Sequence, residues 1–264
     1  MLLVLDVGNT NTTVGVFDGS SLKHSWRLTS DRQRTVDEYG VLCRTLLQQS
    51  GMDDKAITDM AISSVVPPLD FTLNRMAETY FGLKPLFVSS ANSGMPVLYD
   101  DPAEVGADRI VNAVAALAKY GGPCVAVDFG TATTFDAVSR AGEYMGGIIC
   151  PGIQISADAL FQVAARLRRI DIRRPDALVG TNPAASVQSG LYYGNLALVD
   201  GVLERMVAEL GADTHVVATG GLAPLISRES KFIESVEPDL TLEGMRLVYE
   251  RNAAAGPNYK NSQR

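Results

Sequence analysis

Several things are scarce in this chain, and each shortage excludes a class of protein. Of its 264 residues only three are cysteine, Cys43, Cys124 and Cys150. They are odd in number and scattered, with neither disulfide nor metal-ligand spacing, so they read as reduced, mostly buried thiols. Histidine occurs twice, at His24 and His215, neither placed near a carboxylate or cysteine with catalytic spacing. His215 abuts the apolar run Val216-Val217-Ala218, so a structural role is expected for it, as for His24. Positive charge is also short: 23 Lys and Arg face 30 Asp and Glu, for a net charge of −7, which argues against nonspecific nucleic-acid binding. No apolar run approaches a membrane span and no basic leader precedes the first strand, so a cytoplasmic protein without a membrane partner is expected.

What is present is an ordinary globular composition, 46% hydrophobic and 20% charged, at a length sufficient for one large or two small domains. Within it one phrase is written twice. Leu2-Leu3-Val4-Leu5 leads into Asp6-Val7-Gly8-Asn9-Thr10-Asn11-Thr12-Thr13, and Cys124-Val125-Ala126-Val127 leads into Asp128-Phe129-Gly130-Thr131-Ala132-Thr133-Thr134. Each is a short buried strand ending in Asp, then Gly, then small hydroxyl or amide side chains. Either copy alone reads equally as a tight hairpin, because these are common turn residues. Repetition points to architecture. Glycine lets backbone approach a ligand, successive N–H groups and Thr hydroxyls donate to phosphate oxygens, and a strand-end Asp can hold a cation. Two copies imply two similar halves with a nucleotide between them. An acidic protein binding ATP needs local positive potential, from N–H groups, a divalent ion and a few placed arginines.

The strand and helix signals repeat in the same order. In the first half, strands are expected at 2–6, 13–17 and 25–29, a helix at 37–49, a strand at 60–66 stopped by Pro67-Pro68, a helix at 69–80, a strand at 86–89 and a helix inside 102–119. Gly121-Gly122-Pro123 marks a boundary, giving domains 1–120 and 121–252 and a frayed tail over 253–264. The second half reads as strands to Asp128, over 134–139 and toward Gly146, helices near 156–166 and 183–210, a strand at 215–218 meeting Thr219-Gly220-Gly221, and a final helix over 242–252 capped by Thr241.

Strand–Asp–Gly loops in both halves with a late Gly-Gly turn resemble the acetate-and-sugar-kinase, heat-shock chaperone and actin superfamily. That resemblance implies an α/β fold of two ribonuclease-H-like domains with a nucleotide cleft between them. Ser63-Ser64-Val65-Val66-Pro67, Gly106-Ala107-Asp108-Arg109, Gly146-Gly147-Ile148-Ile149-Cys150-Pro151-Gly152, Gln188-Ser189-Gly190 and Leu240-Thr241-Leu242-Glu243-Gly244 accompany the loops in order. The ordered set resembles the type III pantothenate kinases from Leu2 to Asn252.

The resemblance implies ATP-dependent phosphorylation of pantothenate to 4′-phosphopantothenate, the first step toward coenzyme A. It assigns ATP contacts to Asp6, Val7, Gly8, Asn9, Thr10, Asn11, Thr12, Thr13 and Thr131, with Asp6 also serving magnesium held with the nucleotide. It assigns pantothenate to Tyr99, Gly106, Ala107, Asp108 and Arg109, and a monovalent cation, potassium or ammonium, to Asp128. It also implies a homodimer. Chemically, Asp108 suits a general base for a primary alcohol, and Arg109 can fork onto a carboxylate. The other readings of the residues are an Asp–Arg pair at a helix entry, for a whole protein a kinase of another small hydroxylated metabolite, or a nucleotide-binding regulator without turnover. One departure stands out: the family pattern has Asn-Thr, with the Thr on pantothenate, where this chain has Asn182-Pro183. Proline there fits the first residue of a helix capped by Asn182. A second departure, Arg168 in place of a common proline, falls in the same half.

Overall fold

The computed structural model describes residues 1–163 and 169–255. The tail over 256–264, the end of the helix expected near 156–166, and Arg168 lie outside the described residues. The chain divides into two compact units. One takes Met1–Ala115 together with the chain from Leu240 on, and the other takes Ala116–Asp239.

The first unit is built on a sheet of β1 (Leu2–Val7), β2 (Asn11–Asp18), β3 (Ser21–Thr29), β4 (Asp59–Ser64) and β5 (Leu86–Phe87), in the order β3-β2-β1-β4-β5. β2 runs antiparallel to β1 and β3, while β4 is parallel to β1 and β5 to β4. The second unit repeats it with β6 (Cys124–Phe129), β7 (Ala132–Val138), β8 (Tyr144–Pro151), β9 (His215–Thr219) and β10 (Ser235–Val236), ordered β8-β7-β6-β9-β10 with the same pairing senses. The doubled motif therefore sits on equivalent hairpins, β1–β2 and β6–β7, of two ribonuclease-H-like units.

β1 and β6 are central strands covered on both faces, which is why each is an uninterrupted apolar run until its terminal Asp. Leu3, Leu5 and Val7 pack in one core with Tyr39, Cys43 and Leu47 of α1 (Val36–Gln49) and Leu69, Leu73 and Met76 of α2 (Pro67–Met76). α1 opens on a capping box of Thr35 and Glu38, and α2 opens with proline at its first position, where a missing N–H costs nothing. Val125, Val127, Phe129 and Phe135 do the same in the second unit against Ile153 and Ala157 of α4 (Ile153–Val163) and Leu191, Tyr192, Val199 and Leu203 of α5 (Pro183–Leu210). Each Val, Leu, Ile, Phe or Met side chain among them contributes about 1.5–3 kcal/mol by leaving water. The short α6 (Ala223–Ile226) follows β9.

Two helices complete the set: α3 (Ala107–Tyr120), and α7 (Leu240–Ala254), which packs on β1 and β4 of the first sheet. Sequence order puts α7 after the second half, yet its apolar face belongs to the first. Leu242 meets the space beside Gly15, and at Gly244 a β-carbon would stand 2.0 Å from the carbonyl oxygen of Val111 in α3. Only glycine permits that approach. Thr241 is not a cap, because the helix already begins at Leu240. Its hydroxyl instead donates to Oδ1 of buried Asn112, at 2.8 Å.

The three thiols are free, with Cys43 and Cys124 buried and pushed up to about 12 by that burial, and Cys150 half-buried. His24 stacks on Trp26, and His215 stacks on Tyr120 while bridging Ser235 (3.0 Å) and Glu234 (3.3 Å). Both histidines serve packing and strand connection. Among the described residues no helix is long and apolar enough to cross a membrane.

Candidate active site

The first loop is a tight turn closed by the N–H of Gly8 donating to the carbonyl of Asn11, at 3.0 Å. Asn9, Thr10 and Asn11 are exposed at its tip. Val7 and Thr12 are fully buried, Thr12 sharing a 2.8 Å hydroxyl hydrogen bond with Ser30, so what these two can offer a ligand is backbone. Asp6, half-buried at the end of β1, faces Thr13 on one side and Ser63 on the other. The Ser63 hydroxyl donates to Asp6 Oδ1 at 3.1 Å. The turn is thus both of the things its residues suggest, a hairpin turn and a set of exposed donors beside a carboxylate.

Asp108 and Arg109 lie in the first turn of α3, after the single turn Pro102–Glu104 that Asp101 caps through the N–H of Ala103 (3.0 Å). Arg109 is buried and Asp108 half-buried. The N–H of Arg109 donates to Asp108 Oδ1 at 2.8 Å. Burial pushes the Asp108 carboxyl above its ordinary value, and this outweighs the lowering by that N–H and by the Arg109 charge. Raised affinity for a proton is what a carboxylate base needs. Gly106 ends the approach loop, where a β-carbon would lie 2.6 Å from Asp108 Oδ1. Tyr99 is half-buried and Ala107 buried in the same unit.

In the second unit the matching turn is closed by the Gly130 N–H on the Ala132 carbonyl, at 3.1 Å, leaving Thr131 exposed. Asp128 is half-buried, paired in register with Thr134 and Thr219. Gly220 sits over it with φ +90°, and a β-carbon there would fall 2.6 Å from Asp128 Oδ1 and 2.7 Å from the Phe129 carbonyl carbon. Paired glycines at a strand end can leave room for a flat ligand, but at Gly220 the room is taken by the carboxylate itself. On the other side, a β-carbon at Gly152 would lie 2.2 Å from the Thr131 carbonyl oxygen. No cluster of three or more Asp, Glu, His or Cys that could hold a metal exists among the described residues. A cation beside Asp6 or Asp128 would therefore share one carboxylate with water, carbonyl or phosphate oxygens. That suits magnesium, which keeps several waters, and oxygen-seeking monovalent ions.

Asn182 caps α5 by accepting from the Ala185 N–H at 2.9 Å, and Pro183 is the first helical residue. The segment before it is tied down by Gln188 Nε2 on the Asp171 carbonyl (3.1 Å). Between them lies a pocket of about 560 Å³, with Arg173, Asp176, Thr181, Asn182 and Gln188 among its lining. Sequence reasoning passed over Asp136, a fully buried carboxylate on β7. It receives the Tyr144 hydroxyl at 2.8 Å and the Thr134 hydroxyl at 3.3 Å. A charged residue set between the apolar Phe135 and Ala137-Val138 was its visible sign.

The family model for type III pantothenate kinases matches residues 2–205. A type III pantothenate kinase of Koribacter versatilis is 58% identical over 263 residues, covering 96% of both chains. Those of Myxococcus xanthus and Geobacter sulfurreducens are each 54% identical, over 97% and 96% of this chain and 100% and 99% of theirs. Among solved structures, a Campylobacter jejuni protein described as a transcriptional activator of the Baf family is similar at TM-score 0.63 and 18% identity, covering 96% of this chain and 99% of that one. The ROK hexokinase of Thermus thermophilus is similar at TM-score 0.52 and 15% identity, over 97% and 99%. At such identities the structural likenesses speak for the fold alone.

Proposed function

This chain belongs to the type III pantothenate kinase family, and from that premise we infer that it moves the terminal phosphoryl group of ATP onto the primary hydroxyl of pantothenate. The products are 4′-phosphopantothenate and ADP, the opening step toward coenzyme A. The observation that carries the reading into this chain's own residues is Asp108, a carboxylate whose proton affinity is raised by burial and whose position is fixed by the Arg109 N–H.

In the proposed reaction Asp108 accepts the hydroxyl proton as the pantothenate oxygen attacks the γ-phosphorus and the β–γ bridging oxygen leaves with ADP. Arg109 binds the carboxylate of pantothenate, and Tyr99, Gly106 and Ala107 shape its place. Asp6 to Thr13 and Thr131 hold the phosphates, mainly through backbone N–H groups at the two turns. Magnesium travels with the nucleotide and would be held through Asp6, and a monovalent cation through Asp128. When bound, they neutralise phosphate charge. The protein's part is positioning and electrostatics, as in phosphoryl transfer generally.

We further propose a homodimer. β8 is an edge strand of the second sheet and exposes Met145, Ile148 and Ile149, and α4 exposes Ile155, Leu160 and Val163. An apolar set on an open sheet edge is a liability unless another surface covers it. Three free thiols suit the reducing cytoplasm. The test is ADP release with and without pantothenate. Release that requires pantothenate is expected, whereas release only with another hydroxylated metabolite, or none, would overturn the reading.

A further inference from the structure

Beside the first loop stands a charge that the reaction above leaves without a task. The segment after β3 returns along the loop, with the Ser30 N–H donating to the Thr10 carbonyl at 3.0 Å. Two residues on, Arg32 donates from Nη2 to Oδ1 of Asn9 at 3.2 Å, and both residues are exposed at the turn. The adjacent cation is already engaged: Arg34 lies 5.2 Å over the Tyr39 ring and donates to the Thr29 carbonyl at 3.2 Å. Elsewhere in the unit Arg44 and Arg75 have carboxylate partners, Asp54 and Glu78. Arg32 makes no ion pair with any described residue. Even neighbouring Asp31 turns its Oδ1 to the Gln33 N–H, at 2.9 Å.

A neutral amide oxygen does not compensate a guanidinium, so a full positive charge stays exposed at the turn. In a chain of net charge −7 that matters, because a polyphosphate is repelled by the molecule as a whole and needs local attraction to enter. The planar fork of a guanidinium matches two phosphate oxygens, and charge-assisted pairs are roughly twice as strong as neutral ones. We propose that Arg32 is a phosphate-binding residue, which gives up Asn9 and takes the phosphate oxygens of ATP when the nucleotide reaches the turn. This rests on the reading of Asp6–Thr13 as the phosphate loop.

Calorimetric titration of ATP and of adenosine into wild type, Arg32→Ala and Arg32→Gln tests it. Both variants should bind ATP about ten-fold more weakly and adenosine as wild type does, since adenosine has no phosphate to lose. Arg32→Lys should recover part of the ATP affinity. ATP affinity equal to wild type, or equal losses for ATP and adenosine, would overturn the assignment. The titrations contain no pantothenate, so the two readings fail separately. Wild type that binds ATP yet ignores pantothenate sinks only the substrate, and variants that keep both ATP affinity and pantothenate turnover sink only Arg32.

Discussion

Gly106 and Asp108 share one space: a β-carbon on the first would lie 2.6 Å from Oδ1 of the second. The glycine is thus part of how the proposed base is aimed. Asp108→Asn should lower kcat by roughly 10²-fold or more with ATP binding little changed. Gly106→Ala, with the carboxylate present but displaced, should lower kcat on the order of 10²-fold. Steady-state kinetics checks both, and near wild-type turnover in Asp108→Asn would remove that residue from the mechanism.

Burial also gives Asp108 a signature in pH. Its folded value lies above its unfolded one, so the native state holds that proton more tightly. The stability linked to it is present below the ordinary carboxylate range and is lost as pH rises through the raised value. Asp108→Asn mimics the protonated form, so its Tm should exceed wild type at neutral pH, the gap closing as pH falls below the ordinary range. Catalysis moves the other way, kcat/KM falling as the base is protonated. Melting curves and rate profiles across pH measure the two, and a variant less stable than wild type at pH 7 would contradict the burial argument.

Asp128 should make activity depend on potassium or ammonium, with sodium alone poor, and Asp128→Ala should abolish the activation. Gly220→Ala forces a side chain into the Asp128 carboxylate at a backbone angle of φ +90°. It should therefore weaken cation activation while leaving every charged residue in place. Rates in the separate chloride salts decide; equal rates in sodium and potassium would reject the cation at Asp128.

Pro183 begins α5 without disturbing the Asn182 cap, so the departure from the family pattern costs the fold nothing visible. What is missing is a hydroxyl. One neutral hydrogen bond is worth on the order of 1 kcal/mol, about five-fold in affinity. Pro183→Thr should lower KM for pantothenate a few-fold and leave KM for ATP unchanged. An unchanged KM for pantothenate would mean that position 183 does not touch it.

Much of this was legible in sequence because it is local. The two strand–Asp–Gly turns, the central apolar strands and the Asn182-Pro183 helix start depend on neighbours within a few residues, where turn and cap chemistry acts. β3 begins at Ser21, earlier than its pattern suggests, because its side chains are largely exposed and its partner is the backbone of β2. β8 runs through Gly146-Gly147 to Pro151 for the same reason, held by β7 rather than by propensity. Within the candidate site, Asp108 was visible, but the need for Gly106 was not, nor the return of Arg32 to Asn9 across 23 positions. Such contacts are set by tertiary packing, and no periodicity encodes them.

The placement of α7 has a consequence for synthesis. Leu242, Gly244 and Thr241 close the side of the first unit that carries Gly15, Val111 and Asn112, yet they leave the ribosome after every residue of the second unit. The nascent first sheet must wait, one flank still wet, while more than a hundred further residues are added. A message truncated before codon 240 would yield a complete second unit joined to an unfinished first one. Such a chain should be a chaperone client and a protease substrate rather than a half-active kinase, because its first unit would lack the helix that covers one flank.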